Sequence, residues 1–182
     1  MKRGCPILLA FLAREPALSE AEGVGILTWH FVDTTNIEML KFTRADYDAI
    51  RKHGEETYPH ECCGVLLGRF EDDGTRVVTS TARCGNTRTD SAHNRYNIDP
   101  KELVHIQREG RERGEDIVGF YHSHPDHPAQ WSKTDHAEAH WIGCSYVITA
   151  VEKGKAAITN SFELSGTDES DKQLVDEEIT FS

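Results

Sequence analysis

The stretch that decides the fold runs from Asp116 to Asp135 and reads DIVGFYHSHPDHPAQWSKTD. Its first residues form a short apolar run, which predicts a buried central strand. Two prolines then stop the strand and turn the chain, and Ser132 opens a helix with Asp135 in its first turn. The stretch therefore predicts a strand, a turn and a helix start in immediate succession.

Two histidines close the predicted strand, and their spacing indicates a metal site. His122 and His124 are two positions apart, so their imidazoles point to the same side of a strand. The helix that begins beside the strand end can bring the Asp135 carboxylate to the same ion, and zinc takes such donors at about 2.0–2.2 Å. Two imidazoles and one carboxylate leave a fourth position for water, as a catalytic zinc requires. We therefore expect one zinc ion per chain.

Other interpretations of these residues stand beside the metal site. Ser132 and Asp135 also have the spacing of a helix capping box. His127 is a rival ligand, although its place between two prolines favours an exposed turn. His136 and His140 lie one helical turn apart and form a second candidate pair, but HAEAH does not match the H-E-x-x-H zinc pattern.

The remaining segments predict a mixed α/β fold. Predicted helices cover residues 43–57, 100–114 and 132–143, and predicted strands cover residues 62–69, 76–84, 116–124, 144–151, 156–164 and 174–181. Because hairpins outnumber β-α-β crossovers, we expect a single mixed, mostly antiparallel β-sheet flanked by helices. The last strand is expected at an edge of the sheet, and the polar segment 85–98 is expected to be a long surface loop.

The length indicates one domain with an N-terminal appendage. The chain has 182 residues, enough for one real core and too few to expect two. Residues 1–38 show no sustained period, and their apolar run is too short to span a bilayer. We therefore predict an appendage at 1–38 and the domain at 39–182, with Met39 as an alternative start.

Charge and cysteine usage limit the partners and the compartment. The formal net charge of −11 argues against a nucleic-acid partner. The cysteine count is odd, at 5, and the sequence contains no C-x-x-C, so neither a disulfide framework nor a zinc knot is indicated. We expect buried thiols in a reducing, cytoplasmic protein with no membrane association.

At this point the residues resemble a known family. The order His122, His124, Ser132, Asp135, with seven and then two intervening residues, looks like the JAMM signature of the MPN-domain metalloproteases. That signature also has a glutamate near the start of the first buried strand, and Glu61 in PHECCGVLLG matches it. The later NRYNIDPKEL resembles the same segment of prokaryotic members. The resemblance covers about 39–182 and implies the MPN fold, an architecture like that of cytidine deaminases.

The resemblance also implies the roles of the site residues and a substrate class. His122, His124 and Asp135 would hold zinc, Glu61 would act as the general base, and Ser132 would donate a hydrogen bond to the developing oxyanion. The substrate would be a ubiquitin-like or sulfur-carrier protein with a C-terminal Gly-Gly tail. A carrier–cysteine adduct that releases cysteine is slightly favoured over a lysine-linked modifier, because the chain is compact.

Three alternatives from other classes are weighed against this hydrolase. A non-catalytic MPN scaffold subunit generally lacks the ligands or the glutamate, which are all present here. A zinc nucleobase deaminase needs H-x-E and P-C-x-x-C, and neither occurs. A purely structural zinc module is disfavoured by the open coordination position.

Overall fold

The computed structural model describes residues 39–86 and 97–182. Within these ranges the elements follow in the order β1 Met39–Phe42, α1 Arg44–Thr57, β2 Cys63–Phe70, β3 Arg76–Cys84, α2 Pro100–Glu112, β4 Asp116–Pro125, α3 Lys133–Glu138, β5 Ser145–Glu152, β6 Lys155–Ser165 and β7 Gln173–Phe181. The appendage predicted at 1–38 and most of the loop predicted at 85–98 lie outside the described residues.

The seven strands close into a barrel in the order β1, β3, β2, β4, β5, β6, β7. Strand β2 pairs antiparallel with β3 and β4, and β6 pairs antiparallel with β5 and β7. Strand β4 runs parallel to β5, and β1 runs parallel to both β3 and β7. The pairing is therefore mixed, and β1 is the strand that completes the circle.

The predicted fold class, a single mixed, mostly antiparallel β-sheet flanked by helices, is wrong, because the seven strands form a closed barrel. The sheet closes because β1, a strand of 4 residues, bonds to β3 on one side and to β7 on the other. Strand β7 is therefore not an edge strand, since its residues 178–181 pair with β1. So short a strand carries no measurable period of its own, which is why the sequence predicted only the helix that follows it.

Two of the helices follow their sequence signals closely. Thr43 caps α1, its hydroxyl oxygen accepting a hydrogen bond from the Asp46 N–H at 3.1 Å. Asp99 caps α2 directly before the first-turn proline, as the sequence predicted. Helix α1 packs closely on the sheet at Gly54, where a Cβ atom would lie 3.2 Å from the Cβ of Ser123.

Helix α3 is shorter than predicted, ending at Glu138 rather than near residue 143. Its C-cap residue, Ala139, has an extended backbone with ψ 117. The Trp141 N–H donates to the Tyr146 hydroxyl at 3.0 Å instead of to a helix carbonyl. A side-chain contact with the start of β5 therefore accompanies the end of the helix, and helix propensity alone could not predict it.

Strand β2 is buried on both faces, which explains its almost uninterrupted apolar sequence. Cys63, Val65 and Leu67 belong to one core cluster, whereas Cys62 and Leu66 belong to a second cluster. Both sides of the strand next to the candidate site are thus packed. Among the described helices, none has the length and apolar character that crossing a bilayer requires.

Candidate metal centre

The end of β4 presents two imidazoles side by side. His122 and His124 are 2% and 9% exposed, and their Nε2 atoms lie 3.1 Å apart. Helix α3 begins beside them and brings Asp135, whose Oδ1 is 3.4 Å from Nε2 of His122 and whose Oδ2 is 3.6 Å from Nε2 of His124. The structure brings together the three residues that the sequence predicted as a metal-binding group.

The spacing of these donor atoms fits a single zinc ion. Ligand atoms about 2.0–2.1 Å from a tetrahedral ion lie about 3.3 Å from one another. The two Nε2 atoms are 3.1 Å apart, Oδ1 of Asp135 is 3.4 Å from Nε2 of His122, and Oδ2 is 3.6 Å from Nε2 of His124. One donor atom from each residue lies within 4.8 Å of the others. Two imidazoles and a carboxylate are also a donor set that zinc takes. His122, His124 and Asp135 therefore form a group that can hold zinc.

The tautomer of His124 is fixed by the turn that follows β4. Its Nδ1 lies 2.8 Å from the carbonyl oxygen of Pro128. A carbonyl only accepts, so Nδ1 carries the proton and the Nε2 lone pair of the neutral ring faces Asp135. Zinc-binding histidines are commonly oriented by such a bond from the other ring nitrogen. The second proline of the motif thus supplies an acceptor that residue spacing alone could not reveal.

That turn is held in place by residues far from it in sequence. Asp126 accepts hydrogen bonds from the Tyr58 hydroxyl and from the Lys153 N–H, both at 2.8 Å. The Asn160 amide donates to the Ala129 carbonyl oxygen at 2.8 Å. The turn is therefore hydrogen-bonded to the C-cap residue of α1, to β6 and to the β5–β6 connection. Sequence reasoning missed these contacts because no local pattern indicates them.

Asp135 acts in the helix cap and in the metal-binding group at once. The Ser132 N–H donates to its Oδ2 at 2.6 Å, and the Asp135 N–H donates to the Ser132 hydroxyl oxygen at 3.2 Å. The capping box that the sequence left as an alternative is therefore confirmed. The cap turns the carboxylate of Asp135 toward the two imidazoles, so the two interpretations are compatible.

The charges in this group favour a cation. Burial acts to raise the pKa of Asp135, but its hydrogen bonds with His122 and His124 outweigh burial and hold that pKa well below its usual range. Burial lowers the pKa of His122. Burial opposes the charged form of His124 too, yet its contacts with Asp135 and the Pro128 carbonyl raise its pKa. A carboxylate among imidazoles is thus stabilised by positive charge, whether from a proton or from a metal ion.

Glu61 lies two residues before β2 and next to the metal-binding group. The Cys62 N–H donates to the Ser123 hydroxyl oxygen at 2.9 Å, and the Ser123 N–H donates to the Cys62 carbonyl at 3.2 Å. Cys63 pairs with His122, so continuing this antiparallel register sets Glu61 opposite His124. Ser123 therefore hydrogen-bonds the segment that carries Glu61 to β4, the strand that carries the two histidines.

The environment of Glu61 is that of a buried acid. Its side chain is enclosed, with 4% of the residue exposed. Burial raises the pKa of its carboxyl to about 8, while attraction to His124 lowers it and repulsion from Asp135 and Glu138 raises it further. The Glu61 carboxyl is therefore close enough to His124 and Asp135 for their charges to affect its pKa. A carboxyl in this setting can exchange a proton near neutral pH.

The rival residues lie elsewhere. His127 is exposed in the turn, as its flanking prolines predicted. His136 contacts the Lys172 carbonyl through Nε2 at 3.0 Å, and His140 contacts Glu169 through Nδ1 at 2.9 Å, so this pair does not converge on one ion. Both glutamates of α1 near Glu61 are engaged away from the group: Glu55 accepts from the Ala156 N–H, and Glu56 accepts from Arg83.

Three further side chains near the strand ends, those of Tyr121, Cys62 and Cys63, have structural roles. The Tyr121 hydroxyl lies 3.0 Å from Nδ1 of His53, which links β4 to α1. Burial raises the pKa of the Cys62 thiol to about 11 and raises that of the Cys63 thiol as well. Both thiols are therefore protonated and unreactive at neutral pH, as expected for buried cysteines.

Comparison with known protein families and sequences supports this description. Residues 43–164 match the family described as prokaryotic homologs of the JAB domain. Over 105 residues the chain is 38% identical to a desampylase from Haloferax volcanii, and the match covers 56% of this chain and 73% of that protein. Over 94 residues it is 32% identical to tail tip assembly protein K of Escherichia phage N15, covering 50% of this chain and 32% of the phage protein.

Solved structures with a similar fold come from two bacterial proteins. The solution structure of a protein from Desulfitobacterium hafniense has a TM-score of 0.67 and 27% identity, with 79% of this chain and 93% of that chain covered. The solution structure of a protein from Salinibacter ruber has a TM-score of 0.58 and 38% identity, with 76% of this chain and 90% of that chain covered.

Proposed function

Because this chain belongs to the family of prokaryotic homologs of the JAB domain, we propose that it is a zinc-dependent hydrolase of an isopeptide or amide bond at the C-terminal glycine of a ubiquitin-like protein. The observation that carries the proposal is the convergence of ligand atoms from His122, His124 and Asp135 within 4.8 Å of one another. Glu61 lies buried beside this group, as a hydrolase needs.

The chemistry divides between the metal and the side chains around it. A zinc ion held by His122, His124 and Asp135 would supply an acidified water and a Lewis acid that polarises the scissile carbonyl. Glu61 takes the proton from the attacking water and passes it to the leaving amine, a transfer that suits a carboxyl enclosed at 4% exposure. Burial of this carboxyl keeps it close to the reacting atoms and away from competing solvent.

Ser132 is suited to stabilise the negative charge that develops on the carbonyl oxygen. Its Oγ already accepts the Asp135 N–H, so the hydroxyl proton remains available to donate elsewhere. The residue is exposed at the start of α3, where a substrate can reach it. A donor aimed at a developing oxyanion is commonly worth about 2.7–4 kcal/mol of barrier.

The relatives shift the preference between the two substrate types. The Haloferax volcanii relative is a desampylase, a name that denotes removal of an attached modifier, so we now favour a modifier linked to lysine over a carrier–cysteine adduct. The bond cleaved would join the modifier's terminal Gly-Gly tail to a lysine amine. An extended tail of this kind can bind to a sheet protein as an added strand.

The experiment that tests the proposal combines metal analysis with hydrolysis. The purified protein is incubated with a lysine-linked ubiquitin-like conjugate and, separately, with a carrier–cysteine adduct, each with and without a chelator. We expect about one zinc per chain and release of the modifier that the chelator abolishes. Release of free cysteine alone would reverse the preference between substrates, and release from neither would favour the non-catalytic scaffold.

Two substitutions separate metal binding from proton transfer. Asp135→Ala removes a ligand and should lose the zinc, whereas Asp176→Ala, an exposed aspartate on β7, should keep it. Glu61→Gln should keep the zinc and lose hydrolysis, because the amide cannot accept the proton. Hydrolysis retained by the Glu61→Gln variant would remove Glu61 from the mechanism.

A further inference from the structure

Helix α3 carries Asp135, yet it has few interactions that could hold it in place. It comprises 6 residues, and none of them is buried. A helix this short is unstable on its own, because too few backbone hydrogen bonds form to offset the cost of nucleation. The Ser132 capping box fixes its first turn. What holds its other end therefore decides how firmly the Asp135 carboxylate is positioned.

Lys172 lies at that other end. Its side chain is 5% exposed, and its Nζ donates to the carbonyl oxygens of Ala137 at 3.2 Å and Ala139 at 2.7 Å. These carbonyls belong to the last turn and its cap, where a helix has no intrahelical partners to offer. A cation at this end also matches the helix dipole. Glu169 balances the charge, with its Oε2 2.6 Å from the ammonium.

Two contacts run in the opposite direction, from the helix side to the 166–172 loop between β6 and β7. Nε2 of His136, within α3, lies 3.0 Å from the carbonyl oxygen of Lys172. Nδ1 of His140, just beyond α3, lies 2.9 Å from Oε1 of Glu169. These are the two histidines whose spacing resembled a metal pair. The structure shows them joining α3 to the 166–172 loop.

The 166–172 loop is itself well anchored. The Asp171 carboxylate accepts hydrogen bonds from the Thr167 N–H and hydroxyl and from the Asp168 N–H, at 2.8 to 2.9 Å. Gly166 has φ +131, and a Cβ there would lie 2.8 Å from the Cα of Lys172, so the chain closes tightly where only glycine fits. The 166–172 loop is thus held in one conformation, and the contacts of Lys172 and His136 attach α3 to it.

We propose that Lys172 is a positioning residue for the metal centre, because it fixes the C-terminal end of α3 and thereby holds Asp135 against His122 and His124. It touches neither the proposed ion nor the substrate. This inference rests on the proposed function, since it concerns the same ligand group. Lys172 lies 37 positions after Asp135 in the sequence, yet it controls how tightly the metal-binding group holds its ion.

The test measures metal binding rather than turnover. Zinc affinity by chelator competition and the visible spectrum of the cobalt(II)-substituted protein are recorded for wild type, Lys172→Met, Lys172→Arg and Lys155→Met. Loss of a direct hydrogen-bond partner of a metal ligand commonly weakens metal affinity by about 10- to 100-fold. Lys172 acts on Asp135 through the backbone of α3, so we expect a loss at the lower end of that range, about 10-fold, in Lys172→Met. Lys172→Arg should recover part of it, since the cation is kept. Lys155 is 84% exposed, so Lys155→Met should bind metal like wild type.

A second variant and a second measurement cover the case in which Lys172→Met does not fold. His136→Ala removes a contact to the loop but leaves the ammonium, and should weaken zinc affinity less. Faster amide hydrogen exchange across Lys133–Glu138 in metal-free protein should accompany either loss. Wild-type affinity in Lys172→Met, or in His136→Ala when Lys172→Met cannot be made, overturns the inference. Wild-type protein that binds no zinc counts instead against the proposed function.

Discussion

At the scale of single residues, Ser132 combines two roles that can be measured separately. It caps α3, and we propose that its hydroxyl also donates to the reacting carbonyl oxygen. Ser132→Ala should lower kcat by roughly 10²- to 10³-fold, the usual effect of losing one oxyanion donor. Zinc content should change little, because the Ser132 backbone N–H that bonds the Asp135 carboxylate remains. Steady-state kinetics with metal analysis of the same sample measures both.

Thr43 offers the matched control for that substitution. Its hydroxyl oxygen caps α1 by accepting from the Asp46 N–H at 3.1 Å, but it has no place in the proposed chemistry. Thr43→Ala should cost about 1 kcal/mol of folding stability, as loss of a cap does, and should leave kcat unchanged. Equal losses of kcat in the Thr43→Ala and Ser132→Ala variants would show that Ser132 acts only as a helix cap.

The residues of the metal-binding group could be predicted because their spacing is local. His122, His124 and Asp135 lie within one strand, turn and helix start. The strand period predicted that the two histidines point to the same side, and the helix start beside the strand end could bring Asp135 to them. Glu61 required the family resemblance, because it reaches the group only through the pairing of β2 with β4. Lys172 could not be predicted, since its contacts with the last turn of α3 depend on where the β6–β7 connection folds.

At the scale of elements, the approach of β4 to β5 constrains the strand that carries the histidines. Gly119 pairs with Ser145, and a Cβ at this position would lie 2.5 Å from the Ser145 carbonyl oxygen. Gly119→Ala should therefore force the strands apart and destabilise the protein by about 1–3 kcal/mol, as overpacking usually does. A shift of the urea unfolding midpoint measures this loss.

Gly85 provides the control, because a Cβ there would meet nothing within 4 Å. Gly85→Ala should leave the midpoint within the range of ordinary surface substitutions, about 0.5 kcal/mol. If Gly119→Ala unfolds at the same urea concentration as Gly85→Ala, the close contact between β4 and β5 does not exist in solution.

The elements differ in how far sequence could define them. The ends of α1 and α2 were predictable because their caps are local, whereas the end of α3 depends on Lys172 and on Tyr146. Strand β1 was missed because 4 residues give too little pattern. Strand β1 pairs with β3 and β7, which are far from it in sequence. A local sequence pattern does not indicate such long-range hydrogen bonds.

At the scale of the whole molecule, closing the sheet encloses polar groups as well as apolar ones. Arg76 on β3 bonds Glu177 on β7 at 2.9 Å and Glu163 on β6 at 2.9 Å, and its Nε donates to the Gly143 carbonyl at 2.7 Å. Ser145 on β5 donates to the same Glu177 carboxylate at 3.1 Å. Four strands therefore share one buried ionic cluster, and it can form only when the barrel is closed.

This cluster predicts a large stability effect from residues that contact none of the proposed metal ligands in the bonds described. The side chains of Arg76 and Glu177 are 4% and 1% exposed. Arg76→Met should cost about 3–5 kcal/mol, because it leaves a buried carboxylate without its cation. Combining Arg76→Met with Glu177→Gln should recover part of that loss, since the more deeply buried of the two carboxylates that pair with Arg76 is then neutral, while Glu163 keeps its charge. Arg83 forms an exposed pair with Glu56, at 50% and 45% exposure, and Arg83→Met should cost at most about 1 kcal/mol. Urea unfolding of the three variants and the wild type measures these losses. Equal losses for the two single arginine substitutions would mean that the interior cluster contributes no more than a surface ion pair.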